Sequence, residues 1–434
     1  MKVAFATLGC RVNQYESEAM AEKFLREGYE IVDFDSFSDV YVINTCTVTN
    51  MGDKKSRQII GRARRTNPDA IIAAVGCYSQ MSPKEVSEIP GVDVVLGTRN
   101  KGDVVYYVNK AKDEGKSQVH VEGVLKNKKF EDLKIDDYQD KTRAFLKIQD
   151  GCNRFCTYCT IPYSRGAVCS KDPKKVIEEV NELARNGFKE VILSGIHTAS
   201  YGLDLEGNVN LINIIEEIEK INGIERIRIG SIEPAFFTAE VIEKIKGFKK
   251  LCPHFHLSLQ SGCDTVLKRM NRRYNAAEYE EAVNLLRETL SDVSISTDVI
   301  VGFPGETDKE FEETYEYLKR IKLTKTHVFK YSPRKGTKAA DMPNQVDGKV
   351  KDERSKILID LSNKNEKAFI EKFIDKEMSI LVEREVKDNP GVYEGYTTNY
   401  IKVLVPCLSA DITGKIVDVK ITEAKEDHAI ASMV

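Results

Sequence analysis

The sequence predicts an α/β chain in three parts: an open parallel sheet, a six-unit (βα) partial barrel and a small closed β-barrel. Three observations lead there. Over residues 1–112 apolar runs alternate with helical patterns, a longer series of the same alternation begins near 143, and short β-rich runs separated by turns follow 371. Strand then helix, repeated, implies parallel strands joined by crossovers. The expected units are 1–112, a charged linker at 113–142, the barrel at 143–370 and the β-rich domain at 371–434.

With 434 residues, 41% hydrophobic and 31% charged, the chain has the composition of ordinary globular domains and not of disorder. The opening MKVAFATLGC lacks a signal-peptide layout, and no stretch approaches eighteen consecutive apolar residues, so a cytoplasmic protein without a membrane segment is expected. Ten cysteines in a reducing compartment are metal ligands or buried apolar residues more often than disulfides. The net charge of −3 neither demands nor excludes a polyanionic partner, so local clusters have to decide.

In the first unit VAFATLGC, VYVINTC and IIAAVGC each precede a helical stretch and each ends in a cysteine: Cys10, Cys46 and Cys77. Successive members are separated by about one βαβ unit, roughly 30 residues or more. All three therefore fall at the carboxyl edge of one sheet, where open α/β sheets place their ligands. A single cysteine there is commonly core filler. Three at one structural position argue for a metal site.

The stretch DEGKSQVHVEGVLKNKKFEDLKIDDYQDKT is rich in mixed charge, with room for one short strand at VHVEGV. Beyond it the strands AFLKIQ, EVILSG, RIRIGS, FHLSLQ, SISTDVIVG and HVFKYS alternate with helices such as NLINIIEEIEKI. Chemistry in such barrels sits at the C-terminal ends of the strands. Directly after the first strand comes DGCNRFCTYCTIPYSRG, with Cys152, Cys156 and Cys159 in a Cys-x3-Cys-x2-Cys pattern. A closed zinc site needs four ligands, whereas a four-iron cluster held by three thiolates keeps one iron open. Ser194, Gly195, Glu233, Gln260, Asp298 and Gly302 fall at the other strand ends and are candidates to line a cofactor pocket, although glycines after strands are usually turn residues. His254 and His256 share a strand face, where packing or substrate contact is the commoner role than metal binding.

The three-cysteine loop after the first barrel strand resembles the radical S-adenosylmethionine superfamily. More narrowly, TLGCRVNQYESE, YVINTCTVT, AAVGCYSQ, DGCNRFCTYCTIPYSRG, HLSLQSGCDTVLKRMNRRY and DVIVGFPGET resemble the methylthiotransferases along nearly the whole chain. The resemblance implies two [4Fe-4S] clusters, one on Cys152, Cys156 and Cys159 and one on Cys10, Cys46 and Cys77, with S-adenosylmethionine serving as radical source and as methyl donor. It also implies an electron donor such as flavodoxin or ferredoxin. One departure stands out: in SRGAVCSK, Cys169 occupies a place where the family commonly has arginine, so it is either a neutral replacement or an extra thiolate.

The C-terminal runs resemble the TRAM domain, an RNA-binding module. Acidic residues outnumber basic ones twelve to eight over 371–434, so any RNA face is local, with Tyr396, Asn399, Tyr400 and Lys402 as candidates and packing on a neighbouring domain as the alternative. Two other runs are basic: Lys54, Lys55, Arg57, Arg62, Arg64 and Arg65 after Cys46, and Lys268, Arg269, Arg272 and Arg273 beyond a barrel strand. Charge runs are usually solvated faces. Two that follow strand ends facing the cluster cavity point to a nucleic-acid footprint.

The expected substrate is therefore a tRNA anticodon stem-loop. GCRVNQYESE resembles the branch that acts on N6-threonylcarbamoyladenosine, whereas the isopentenyladenosine branch tends to GCQMN and the branch acting on a ribosomal-protein aspartate to GCPKN. A threonylcarbamoyl carboxylate needs a cation, for which Arg11 and Arg272 are candidates. The rival of another class is a non-catalytic zinc RNA-binding protein.

Overall fold

The computed structural model describes residues 1–125, 129–135, 142–407 and 410–434. Six strands form the first sheet: β1 (Lys2–Thr7), β2 (Glu30–Val32), β3 (Val40–Thr45), β4 (Ile71–Gly76), β5 (Val94–Leu96) and β6 (Gln118–His120). They run parallel in the order β2-β1-β3-β4-β5-β6. The strands β3 and β5 are buried throughout because crossover helices cover both faces, which is why their sequences read as unbroken apolar runs.

The short strand expected inside the charged stretch forms, and it is the edge strand β6 of this sheet. The sheet therefore runs past residue 112, and Leu133 and Ile135 are buried in the core of the second unit, so 113–142 is more than a solvated linker. Residues 126–128 and 136–141 of that stretch lie outside the described residues.

The second unit opens with β7 (Arg143–Lys147), followed by the two-residue ribbon β8 (Gln149–Asp150) and β9 (Cys169–Ser170). Then come β10 (Glu190–Ser194), β11 (Arg226–Ile229), β12 (His254–His256), β13 (Ser294–Val301) and β14 (Lys325–Lys330). Parallel pairing gives β11-β10-β7 and β12-β13-β14, and the bridges Ile227 to Leu251 and Ile232 to Leu257 join the two halves into one curved wall. Among the described residues β14 does not pair with β7, so the barrel is partial. Its helices are well capped: Asn275 with Glu278 and Thr307 with Glu310 form reciprocal capping boxes at Ala276–Thr289 and Asp308–Ile321.

The last unit is a closed antiparallel-rich barrel of β15 (Glu377–Glu385), β16 (Val392–Thr397), β17 (Lys402–Pro406), β18 (Ile416–Ala424) and β19 (Ala429–Met433). The helix Gly348–Glu371 leads into it, and Phe369 and Ile370 at the helix end are already part of its core. No helix among the described residues is long and apolar enough to cross a membrane.

Candidate active site

Because β1, β3 and β4 are sheet neighbours, the residues that follow them meet at one edge. Cys10 and Cys77 each follow a glycine in the left-handed region, Gly9 at φ +103° and Gly76 at φ +97°. A Cβ on Gly9 would lie 2.9 Å from Cys46 Sγ, and one on Gly76 would lie 2.5 Å from Asn44 Oδ1. No other residue fits so close to the thiols. Asn13 Nδ2 donates to the Leu8 and Thr45 carbonyls at 2.7 and 3.1 Å, tying the helix Arg11–Arg26 to the strand ends.

Burial pushes the Cys46 thiol up to about 11, and the neighbouring Cys77 and Cys10 sulfurs add to the rise. Burial also raises Cys77, opposed by Arg165 and Lys101. For Cys46 and Cys77 burial outweighs the nearby cations and favours the neutral thiol, a preference that iron binding would reverse.

The second set forms in the loop after β8. Cys159 N donates to Cys156 O at 3.0 Å, and Ile161 N donates to Cys159 Sγ at 3.4 Å. Burial first and the neighbouring Cys156 second push Cys159 up to about 12. Arg272 Nη1 donates to Cys156 Sγ at 3.3 Å. Among the described residues no group of three or more His, Cys, Asp or Glu converges on a single ion. Three thiols in each set fall one short of a closed zinc site and match a cubane that keeps one iron open, so the donor number fits the cluster better than it fits zinc.

Cys169 lies apart from both sets. Its thiol receives a hydrogen bond from Arg99 Nη1 at 2.7 Å, and the charges acting on it are those of Asp150, Arg99 and Lys147. It fills the place of a side chain in a buried polar network and ligates nothing with Cys152, Cys156 or Cys159.

That network joins the first two units beneath the cysteines. Arg165, fully buried, donates to Glu16 Oε1 at 3.0 Å, Asp150 at 3.1 Å and Asn13 Oδ1 at 2.5 Å. Lys147 reaches Glu16 at 2.7 Å and Asp150 at 2.8 Å, and Lys101 pairs with Glu16. Burial alone would raise the Glu16 carboxyl, but Arg165, Lys101 and Lys147 outweigh it and hold the group far below the usual carboxylate range. Nearby, Arg334 donates to Thr47 Oγ1, Asn50 Oδ1 and Asp53, latching the loop after Cys46 to the barrel.

A cavity of about 810 Å³ runs down the partial barrel. Cys10, Arg11, Val48, Ile161, Ser194 and Gly195 line it together with Asp298 and His256. His256 Nε2 lies 3.2 Å from Asp298 Oδ2. Glu233 sits just outside the lining: burial would raise it, yet His197, Arg272 and Arg154 bring it down to about 2. Gln260, at φ +74°, serves a strand bridge to Val299, and Gly302 is a packing glycine whose Cβ would meet Lys351 at 2.3 Å. Of the candidates for a cofactor pocket, Ser194, Gly195 and Asp298 line this cavity, and Glu233, Gln260 and Gly302 are not among its lining residues.

Several basic and aromatic candidates are also relocated. Arg64 is bound to the Gly91 and Pro68 carbonyls and to Asp93 at 3.1 Å, and the Arg272 side chain is 7% exposed beside Cys156, Glu233 and Tyr274. Both are engaged by the protein and are not free phosphate contacts. Arg62 is exposed but pairs with Asp35. Lys54, Arg65 and Arg273 remain exposed without an ion pair among the described residues.

Tyr396 and Tyr400 lie at the cavity wall. Their rings stack at 4.8 Å, Tyr400 stacks on His254 at 4.5 Å, and Arg143 and Arg228 lie over them at 4.8 and 4.6 Å. Asn399 is buried and donates to the Asp292 carbonyl at 3.2 Å, and Lys402 pairs with Glu394. These side chains therefore join two domains, and Tyr396, Tyr400 and Lys402 at the same time line the cavity. Sequence reasoning missed Arg228, His327 and the Glu16–Arg165 network; two arginines on one face of the buried strand RIRIG were the available signal.

Arg11 is different. It lines the cavity beside Cys10, lies 4.7 Å over the Phe145 ring, and makes no ion pair among the described residues.

Comparison with known families matches residues 146–318 to the Radical SAM superfamily, 2–97 to the Uncharacterized protein family UPF0004 and 371–434 to the TRAM domain. The chain is 46% identical over 425 residues to the Threonylcarbamoyladenosine tRNA methylthiotransferase MtaB of Bacillus subtilis, spanning 97% of this chain and 94% of that one. It is 38% identical to a tRNA-2-methylthio-N(6)-dimethylallyladenosine synthase of Clostridium tetani, over 96% and 93% of the two chains. In fold it is similar to the radical S-adenosylmethionine methyltransferase TsrM of Kitasatospora setae, with a TM-score of 0.57 at 16% identity over 78% of this chain and 77% of that one.

Proposed function

The chain belongs to the radical S-adenosylmethionine methylthiotransferases, and on that premise we propose that it converts N6-threonylcarbamoyladenosine, next to the anticodon of tRNA, into its 2-methylthio derivative. Two three-cysteine sets, one at the carboxyl edge of the first sheet with Cys10 lining the cavity and one in the loop after β8, carry the reaction class. Arg11, a cation lining that cavity without an ion pair among the described residues, supports the substrate class, because a threonylcarbamoyl group brings a carboxylate that is costly to bury alone. An isopentenyl group would call for an apolar wall at the same place.

Cys152, Cys156 and Cys159 hold one [4Fe-4S] cluster, and Cys10, Cys46 and Cys77 hold the other. When bound, the clusters and S-adenosylmethionine supply one-electron reduction, hydrogen abstraction at adenine C2 and delivery of sulfur. The chain's own residues position these reactants. Ser194, Gly195 and Asp298 form the cavity wall for S-adenosylmethionine, and Glu233, already held as a carboxylate by a His197 hydrogen bond and by Arg272 and Arg154, lies beside Cys152. Arg334 and the Glu16–Arg165 network keep the two cysteine sets in register across the domain boundary. The TRAM domain supports RNA binding, with the anticodon stem-loop as partner. A flavodoxin or ferredoxin supplies electrons, and the reaction takes place in the cytoplasm.

Nucleoside mass spectrometry of tRNA from cells with and without the protein tests this reading. The 2-methylthio derivative of N6-threonylcarbamoyladenosine should disappear with the gene. Comparable product from isopentenylated tRNA in direct competition would overturn the substrate assignment while leaving the reaction class in place.

A further inference from the structure

Phe155 lies inside the Cys152–Cys159 loop in the left-handed backbone region, at φ +49°, where a bulky side chain is a true outlier. Its ring is 46% exposed and packs edge-to-face on Tyr163, itself 38% exposed, at 5.9 Å. Single exposed aromatics are ordinary on protein surfaces. A strained backbone that turns one outward beside a cluster loop is not ordinary, since such strain persists only where its surroundings impose it and tends to mark functional sites.

The imposing surroundings are identifiable. Asn271 Nδ2 donates to Phe155 O at 3.1 Å, Thr157 N donates to Met270 O at 3.0 Å, and Thr157 Oγ1 donates to Arg269 O at 2.9 Å. These bonds clamp the loop against the basic run KRMNRR. On that run Lys268 and Arg273 are exposed and make no ion pair among the described residues. Ile161, two residues before Tyr163, lines the cavity. Two outward rings therefore lie on a loop clamped to the run that carries two exposed cations, and that loop leads into a cavity-lining residue. Aromatic faces that receive bases beside cations that track phosphates are how unpaired nucleic acid is gripped.

We propose that Phe155 and Tyr163 form a stacking platform for an unpaired anticodon-loop base flanking the target adenosine, with Lys268 and Arg273 on the adjoining phosphates. The platform rests on the RNA-substrate reading above and specifies where a neighbouring base is held while the target enters the cavity.

Binding of a fluorescent anticodon stem-loop to the anaerobic, cluster-loaded protein tests it. Phe155→Ala and, independently, Tyr163→Ala should each weaken binding by about 5- to 150-fold, the range for removing one base–aromatic stack, without changing the salt slope. Phe155→Trp should restore affinity. Lys268→Ala with Arg273→Ala should instead reduce the salt slope by roughly 0.7 for each phosphate no longer neutralised. A stem-loop carrying an abasic sugar at the stacked position should bind the unaltered protein more weakly and the Phe155→Ala protein no worse than before. Intact stem-loop binding in both alanine variants overturns the platform alone, as does a Phe155→Ala defect confined to reduction by a protein electron donor. Failure of the unaltered protein to bind any stem-loop overturns the RNA reading and the platform with it.

Discussion

Glu16 shows how a single buried carboxylate can hold two domains together. It comes from the helix after Cys10, yet its partners Lys147 and Arg165 belong to the barrel and Lys101 to the end of the first sheet. Glu16→Gln would leave these cations buried with one counter-charge fewer, and breaking such a network typically costs about 3–5 kcal/mol. The pH dependence follows from the same contacts. The folded carboxyl is held far below its ordinary 4.5, so its contribution is complete above that value and is lost as pH falls below it. Urea unfolding from pH 7 to pH 3 should show a steep loss of stability on the acid side, and Glu16→Gln should flatten it.

At the scale of an element, the helix Asn50–Thr66 divides its charges by face. Thr49 caps it by accepting from Gly52 N, which also fixes the loop leaving Cys46. Arg64 holds the carbonyls at Pro68 and Gly91, and Arg57 engages Tyr78 and Glu85. Lys54, Lys55 and Arg65 are left on the solvent side. Changing those three to alanine should flatten the salt dependence of tRNA binding by roughly 0.7 to 0.9 for each phosphate they had neutralised. Arg64→Ala should instead lower the thermal midpoint and leave the slope unchanged. An unaltered slope in the triple variant would mean that the helix faces only solvent.

At the scale of the molecule, the two cysteine sets sit on separate domains joined by the Glu16–Arg165 network, which predicts a division of labour. Alanine at any of Cys152, Cys156 or Cys159 should abolish reductive cleavage of S-adenosylmethionine. Alanine at Cys10, Cys46 and Cys77 together should leave that cleavage measurable and stop methylthio product. Chromatography of the cleavage products beside mass spectrometry of the RNA separates the two losses, and full product from the second variant would refute the two-cluster reading.

The sequence by itself determined the α/β architecture with its C-terminal barrel and set out the six cysteines proposed as cluster ligands. Strand–helix period places Cys10, Cys46 and Cys77 at one sheet edge, and Cys-x3-Cys-x2-Cys is local enough to close a loop wherever it lies; both are properties of the chain's own order. The place of Arg11 at the same sheet edge was legible for the same reason, since it follows Cys10 directly. What only the tertiary structure decided was the fate of side chains whose partners are distant in sequence. Tyr396 and Tyr400 read from the sequence as candidates for an RNA face, and the fold packs them on Arg143, Arg228 and His254 at the cavity wall. Arg272 looked like a phosphate contact and is buried against Cys156 and Glu233. A charged or aromatic residue carries the same chemistry on a solvated face and in a domain junction, and which of the two it occupies depends on surfaces brought together from more than a hundred residues away, as between Arg272 and Cys156. Phe155 combines both: its place in the cysteine loop is local, while the strain that turns its ring outward is imposed by Asn271 across the fold.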